Sequence, residues 1–187
     1  MRKMYWHSPH ALQVIADTEH GFLFWTPLAI LAIAGLILMT TADRPSASMP
    51  DAPLRGDARR IGACMLLMIA LQVYVSGAVA SWTVAGAFGQ RRFIGITIFL
   101  VVGLAALREW VRTDRRRIAA NVAIAICVWW NLALTAEFGT SMMDRQKLEL
   151  KRNAYDAFVT LPRIAPGLMY RYLTERASFY KPAEPAR

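Results

Sequence analysis

The sequence predicts an all-α integral membrane protein with four transmembrane helices, a short N-terminal helix and a longer C-terminal helical tail. Three observations predict it. The 187 residues are 56% hydrophobic and only 19% charged. The apolar residues are gathered into four blocks, each close to the about 20 residues that cross a hydrocarbon core. Lys and Arg, with Arg108 as the exception, lie outside those blocks. In lipid every backbone polar group must bond internally, so the blocks are read as helices.

Residues 1–20 are read as an extracytoplasmic segment. "SPHALQVIAD" predicts a short interfacial helix, with Ser8 as N-cap and Pro9 at the first helical position. Tyr5, Trp6, Leu12, Val14 and Ile15 suit the membrane surface. No apolar core precedes the first span, so that span is expected to serve as an uncleaved insertion signal. The transmembrane region is 21–139, with spans at about 22–41, 61–82, 93–111 and 118–138. Pro27 fits the first turn of its span. Pro45, Pro50 and Pro53 are expected to keep the first loop from being helical. Trp25, Trp82 and Trp110 sit near span ends, where amphipathic rings favour the interface.

Residues 140–187 form the tail. "SMMDRQKLELKRNAYDAFVTL" predicts a helix that stops before Pro162, with Leu148, Tyr155, Phe158 and Val159 as a partial stripe. After "PRIAPG" a second amphipathic helix carries Leu168, Met169, Tyr172, Leu173, Phe179 and Tyr180 at about helical period. Such a helix fits an interface, a partner protein or the chain's own loops.

Arginine placement predicts orientation. Arg44, Arg55, Arg59 and Arg60 lie in the first loop, and Arg108, Arg112, Arg115, Arg116 and Arg117 at the third junction. The N-terminus and second loop have only Arg2, Lys3, Arg91 and Arg92. Short basic loops stay in the cytoplasm, which places both termini outside; Arg145, Lys147, Lys151 and Arg152 in the tail pull the other way. The net charge of +9 is thereby assigned to topology, and no nucleic-acid motif accompanies it. Cys64 and Cys127 fall inside spans and are read as small buried hydrophobes. His7, His10 and His20 lack ligand spacing, so no metal and no cofactor is assigned.

The candidate contact residues are few. Arg91 and Arg92 have the chemistry to grip a lipid phosphate, set against a role anchoring the third span. Glu137 is the intramembrane carboxylate, at an interface where hydration makes it cheap. Asn131 and Gln72 are expected to act as interhelical glue. Trp129 and Trp130 point about 100° apart on a helix, so at least one is expected to face lipid, a bound pigment or quinone, or another subunit. Tyr172 and Phe179 are tail residues offered to a partner. Asp17 and Glu19 are a carboxylate pair at the entrance of the first span. "AGAFGQ" lacks the Lys-Ser/Thr of a P-loop.

Two stretches carry a family resemblance. "HSPHALQVIADTEHGFLFWTPL" contains His20, Gly21, Trp25, Thr26 and Pro27; "SGAVASWTVAGAFGQRRFIGI" contains Gly86, Phe88, Gly89, Arg91, Arg92 and Phe93. Over about residues 5–110 these resemble the C-terminal membrane half of bacterial polytopic, mannosyltransferase-like glycosyltransferases that use lipid-linked sugars. The resemblance implies that both patterns lie outside the cytoplasm. It also implies that the segment carrying the family's catalytic acid is not in this chain.

The expected function is a non-catalytic accessory subunit of a larger bacterial inner-membrane complex, respiratory or photosynthetic assemblies included, with other subunits and lipids as partners. The alternative is a minimal or split glycosyltransferase acting on lipid-linked sugar, with its catalytic acid on a separate partner.

Overall fold

The computed structural model describes residues 4–18, 20–41, 52–83, 88–144 and 147–176, without the side chains of 52–55. These residues fold as an all-helical protein. In order they form α1 (Ala11–Ala16), α2 (Phe22–Trp25), α3 (Leu28–Thr41), α4 (Ala52–Ala78), a 3-10 turn (Arg91–Ile96) leading into α5 (Thr97–Trp110), α6 (Asp114–Gly139), α7 (Leu150–Tyr155), a π turn (Asp156–Thr160) and α8 (Leu161–Thr174). Arg2, Lys3, Glu19, Arg44, Pro45, Pro50, Gly86, Arg145, Phe179 and Tyr180 lie outside the described residues.

Among the described residues, three helical segments are long and apolar enough to cross a membrane: Gly56–Ala78, Arg91–Trp110 and Asp114–Gly139. The first apolar block is not a fourth continuous span. It is divided at Thr26–Pro27 into α2 and the 14-residue α3. At 1.5 Å per residue α3 is about 21 Å long, short of a hydrocarbon core of about 30 Å. Pro27 has no N–H for the helical bond, and it pushes Thr26 out of the helical region to φ −133°, ψ 70°.

Other boundaries also move. α4 begins at Ala52, so Pro53 sits in its first turn, where a missing N–H is harmless, and the end of the first loop is helical. α6 begins at Asp114 after Thr113, so Arg115, Arg116 and Arg117 lie in its first turn. α1 starts at Ala11, not after Ser8. The reason is that His10 N–H is committed to Gly77 O at 2.9 Å and Tyr5 N–H to Ala78 O at 2.6 Å. The N-terminal strand of chain thus caps the last carbonyls of α4, which have no intrahelical donor.

α3 packs along α4 and α5. A side chain at Gly35 would collide with the Gly103 carbonyl, and one at Gly103 with the Ala32 carbonyl. This is the close backbone approach that small residues allow in membranes. Phe22, Ala29, Leu36, Ile69, Val73, Phe93 and Ile96 form the core with Val14 of α1. The Phe22 and Phe93 rings stack at 4.3 Å. Cys64 is exposed on α4 and Cys127 half-buried, so the expected burial fails for Cys64.

The apolar segments run between two ends. At one end Met4 bridges to Val79 and Leu148 N–H donates to Thr18 O at 3.1 Å, so the N-terminal segment, the α4–α5 connection and the tail meet there. We call it the tail end. At the arginine end, Arg108 donates to Asn121 Oδ1 (2.9 Å) and Arg117 Nε to Val111 O (3.0 Å).

Candidate functional site

The candidate site is at the tail end, where α6 meets the α2–α3 break on one side and the tail on the other. It begins with the break. Ala29 N–H turns to Thr26 O instead of continuing the helical ladder to Trp25 O. The freed carbonyls are taken by α6: Trp130 Nε1–H donates to Phe24 O (3.0 Å) and Asn131 Nδ2–H to Trp25 O (2.6 Å). An interrupted helix at membrane depth survives when a neighbour re-satisfies its backbone in this way.

The other side of α6 meets the tail. Trp129 Nε1–H donates to Ala157 O in the π turn at 3.1 Å. Ala133, Ala157 and Leu161 form a small buried cluster with Trp129, Trp130 and Leu168 against it. Both indole N–H groups are therefore satisfied inside the chain, while the rings stay half-buried. The adjacent pair ties two elements to opposite sides of α6. Their 100° separation is what lets them do so.

Two turns further along is Glu137. It is fully buried, not hydrated at an interface. Asn153 Nδ2–H of α7 donates to its Oε2 at 2.6 Å, and Asn153 is buried too. The other oxygen, Oε1, has no hydrogen-bond partner among the described residues. Beyond Asn153, Arg152 pairs with Glu149 (3.8 Å) and Asp156 (3.9 Å). The pair locks the tail to α6, because a buried carboxylate is costly without its donor.

α6 ends just past Glu137. Ser141 takes a left-handed φ of 57°, Met142 N–H returns to Glu137 O (2.9 Å) and Ser141 N–H to Phe138 O (3.4 Å). This is a Schellman closure with serine where glycine is usual. It reverses the chain, so the tail packs back along α6. The tail does not stop before Pro162. Helix continues through Pro162 and Pro166, and the expected interruption becomes the π turn immediately before Pro162. Proline cannot donate to the carbonyl four residues back, and a wider turn absorbs the mismatch.

The α2 segment and the α4–α5 connection touch each other here. His20 and Trp25 stack at 5.9 Å, and Phe88 meets Trp25 edge-on at 5.2 Å. Gly89, at φ 52°, lies against the Trp25 ring. Trp25 is core, not an interfacial ring. Arg92 donates to Ser76 O (3.3 Å), Ser81 O (3.0 Å) and Ser81 Oγ (3.4 Å), stapling the α4–α5 connection. Gln72 donates to Ser76 Oγ and Arg92 O, both at 3.1 Å. Arg91 is exposed. His10 stacks on Trp82 at 5.9 Å. Tyr172 is on α8, away from Glu137, with Arg176 over its ring at 5.1 Å.

The Trp130–Phe24 and Trp129–Ala157 bonds were legible only in part. Asn131 as interhelical glue follows from polarity in a span; the recruitment of indole N–H groups to backbone carbonyls of distant segments needs the fold. Comparison with protein families, characterised proteins and solved structures finds no match to this chain.

Proposed function

We propose that the protein is a non-catalytic structural subunit of a larger assembly in a bacterial inner membrane, with the arginine end in the cytoplasm and the tail end outside. The observation that carries this reading is how its polar side chains are spent. Gln72, Arg92, Trp129, Trp130, Asn131 and Asn153 each bond a backbone or side-chain group of a neighbouring element. The chemistry within the fold is used to fix helices in place.

The surface that α6 offers other molecules is apolar. Along α6, Ile118, Val122, Ile126, Trp129, Ala133 and Glu137 fall on one face at helical spacing. The tail covers the part from Trp129 to Glu137, while Ile118, Val122 and Ile126 remain exposed. A half-covered face at the arginine end suits a helix of another subunit.

The test is purification from the native membrane in mild detergent, followed by intact-complex mass spectrometry. A stoichiometric assembly that loses this chain on Val122→Arg supports the reading; a monomer from the native membrane overturns it. The orientation is tested separately. A reporter fused after Arg187 that is active only in the cytoplasm would reverse it.

A further inference from the structure

We infer that α8 lies in the headgroup layer of a phospholipid bilayer, with one side in the acyl chains and its arginines on lipid phosphates. The inference is independent of whether α6 binds another subunit.

Position is the first support. Trp130 bonds Phe24, two residues from Phe22, whose ring stacks on Phe93 just past Arg91 and Arg92. Trp129 and Trp130 therefore lie in the tail-side half of α6, which runs on to Gly139. The π turn is pinned there through Ala157, so α8 leaves the bundle on the tail-end side.

Pattern is the second. At 100° per residue, Leu161, Ile164, Leu168, Met169, Tyr172 and Leu173 share one arc, and Arg163, Gly167, Arg171 and Thr174 the opposite one. Leu161 and Leu168 take the bundle side. Met169 and Leu173 are left 69% and 77% exposed, an apolar surface that the fold itself does not cover. Charge is the third. Leu161–Thr174 holds Arg163 and Arg171 and no Asp or Glu. An apolar arc backed by cations is what an interfacial helix requires, and the arginine fork matches phosphate oxygens.

The test uses the full chain with Cys64→Ala and Cys127→Ala, reconstituted in phosphatidylcholine vesicles with or without phosphatidylglycerol. Met169→Cys or Gly167→Cys is labelled with a polarity-sensitive fluorophore. Met169 is exposed and a side chain at Gly167 meets open space, so neither label disturbs the core. The expected result is that lipid brominated on its acyl chains quenches the Met169→Cys label roughly threefold more than the Gly167→Cys label, and iodide does the reverse. Phosphatidylglycerol deepens the difference, and Arg163→Gln with Arg171→Gln removes that added part. Equal access of iodide to both labels places α8 in water and overturns the inference. A Met169→Cys label shielded from iodide and brominated lipid alike shows protein cover and overturns it too.

Discussion

Helix α3 lies backbone against backbone on α5, whereas α6 stands farther off and is held by side chains that reach across. At Gly35 and Gly103 there is no room for a Cβ. At Trp129, Trp130, Asn131 and Glu137 large side chains fill the gap, and their polar atoms end on backbone carbonyls and on Asn153. The first contact depends on shape and dispersion, and the second on a few directed bonds. In a membrane the two differ in tolerance. Close packing fails when anything is added; a bonded contact fails when one partner is removed and the other is left dry.

Four measurements test this contrast, from the largest effect down. Gly103→Leu forces α3 away from α5 and is expected to cost about 3 kcal/mol, read by unfolding in detergent–SDS mixtures. Stability unchanged by that substitution would show that the helices are not in backbone contact. Asn153→Leu strands the Glu137 carboxylate and is expected to cost about 2–3 kcal/mol. Adding Glu137→Leu should recover most of it; a purely additive loss would mean that the two residues do not act as a pair. Trp130→Phe keeps the ring and removes the N–H to Phe24, an expected cost of about 1 kcal/mol or less. Ser141→Gly should run the opposite way. It relieves a left-handed serine, so a gain of about 0.5–1 kcal/mol is expected, and a loss would place the value of Ser141 in its hydroxyl.

How much of this was legible follows from where each signal resides. The all-helical class and three membrane-length helices came from block hydropathy, a local property. So did the grouping of the N-terminal segment, the second connection and the tail at one end. The break in the first apolar block was not legible, because hydropathy continues smoothly from Phe22 to Thr41 while the helix divides at Pro27, and four spans are not confirmed. The tail was misread in reverse: Pro162 looked like a stop, and a π turn carried the helix through. Glu137 was found as a candidate but placed at a hydrated interface, since its burial depends on Asn153 arriving from 16 residues away after a reversal at Ser141 that no glycine announces. Arg92 was open between a lipid phosphate and an anchor for the third span, because nothing in its neighbourhood reveals that Ser76 and Ser81 carbonyls will face it.

The Trp130 and Asn131 bonds to the α2–α3 break also bear on how the chain is made. They join positions 106 residues apart. At synthesis rates of about 5–20 residues per second, the first apolar segment waits on the order of ten seconds for them. During that interval the Phe24 and Trp25 carbonyls lack their final donors, a state that hydrocarbon penalises by several kcal/mol. The nascent chain is thus expected to keep its opening helices beside the insertion machinery, released into lipid only once α6 has emerged.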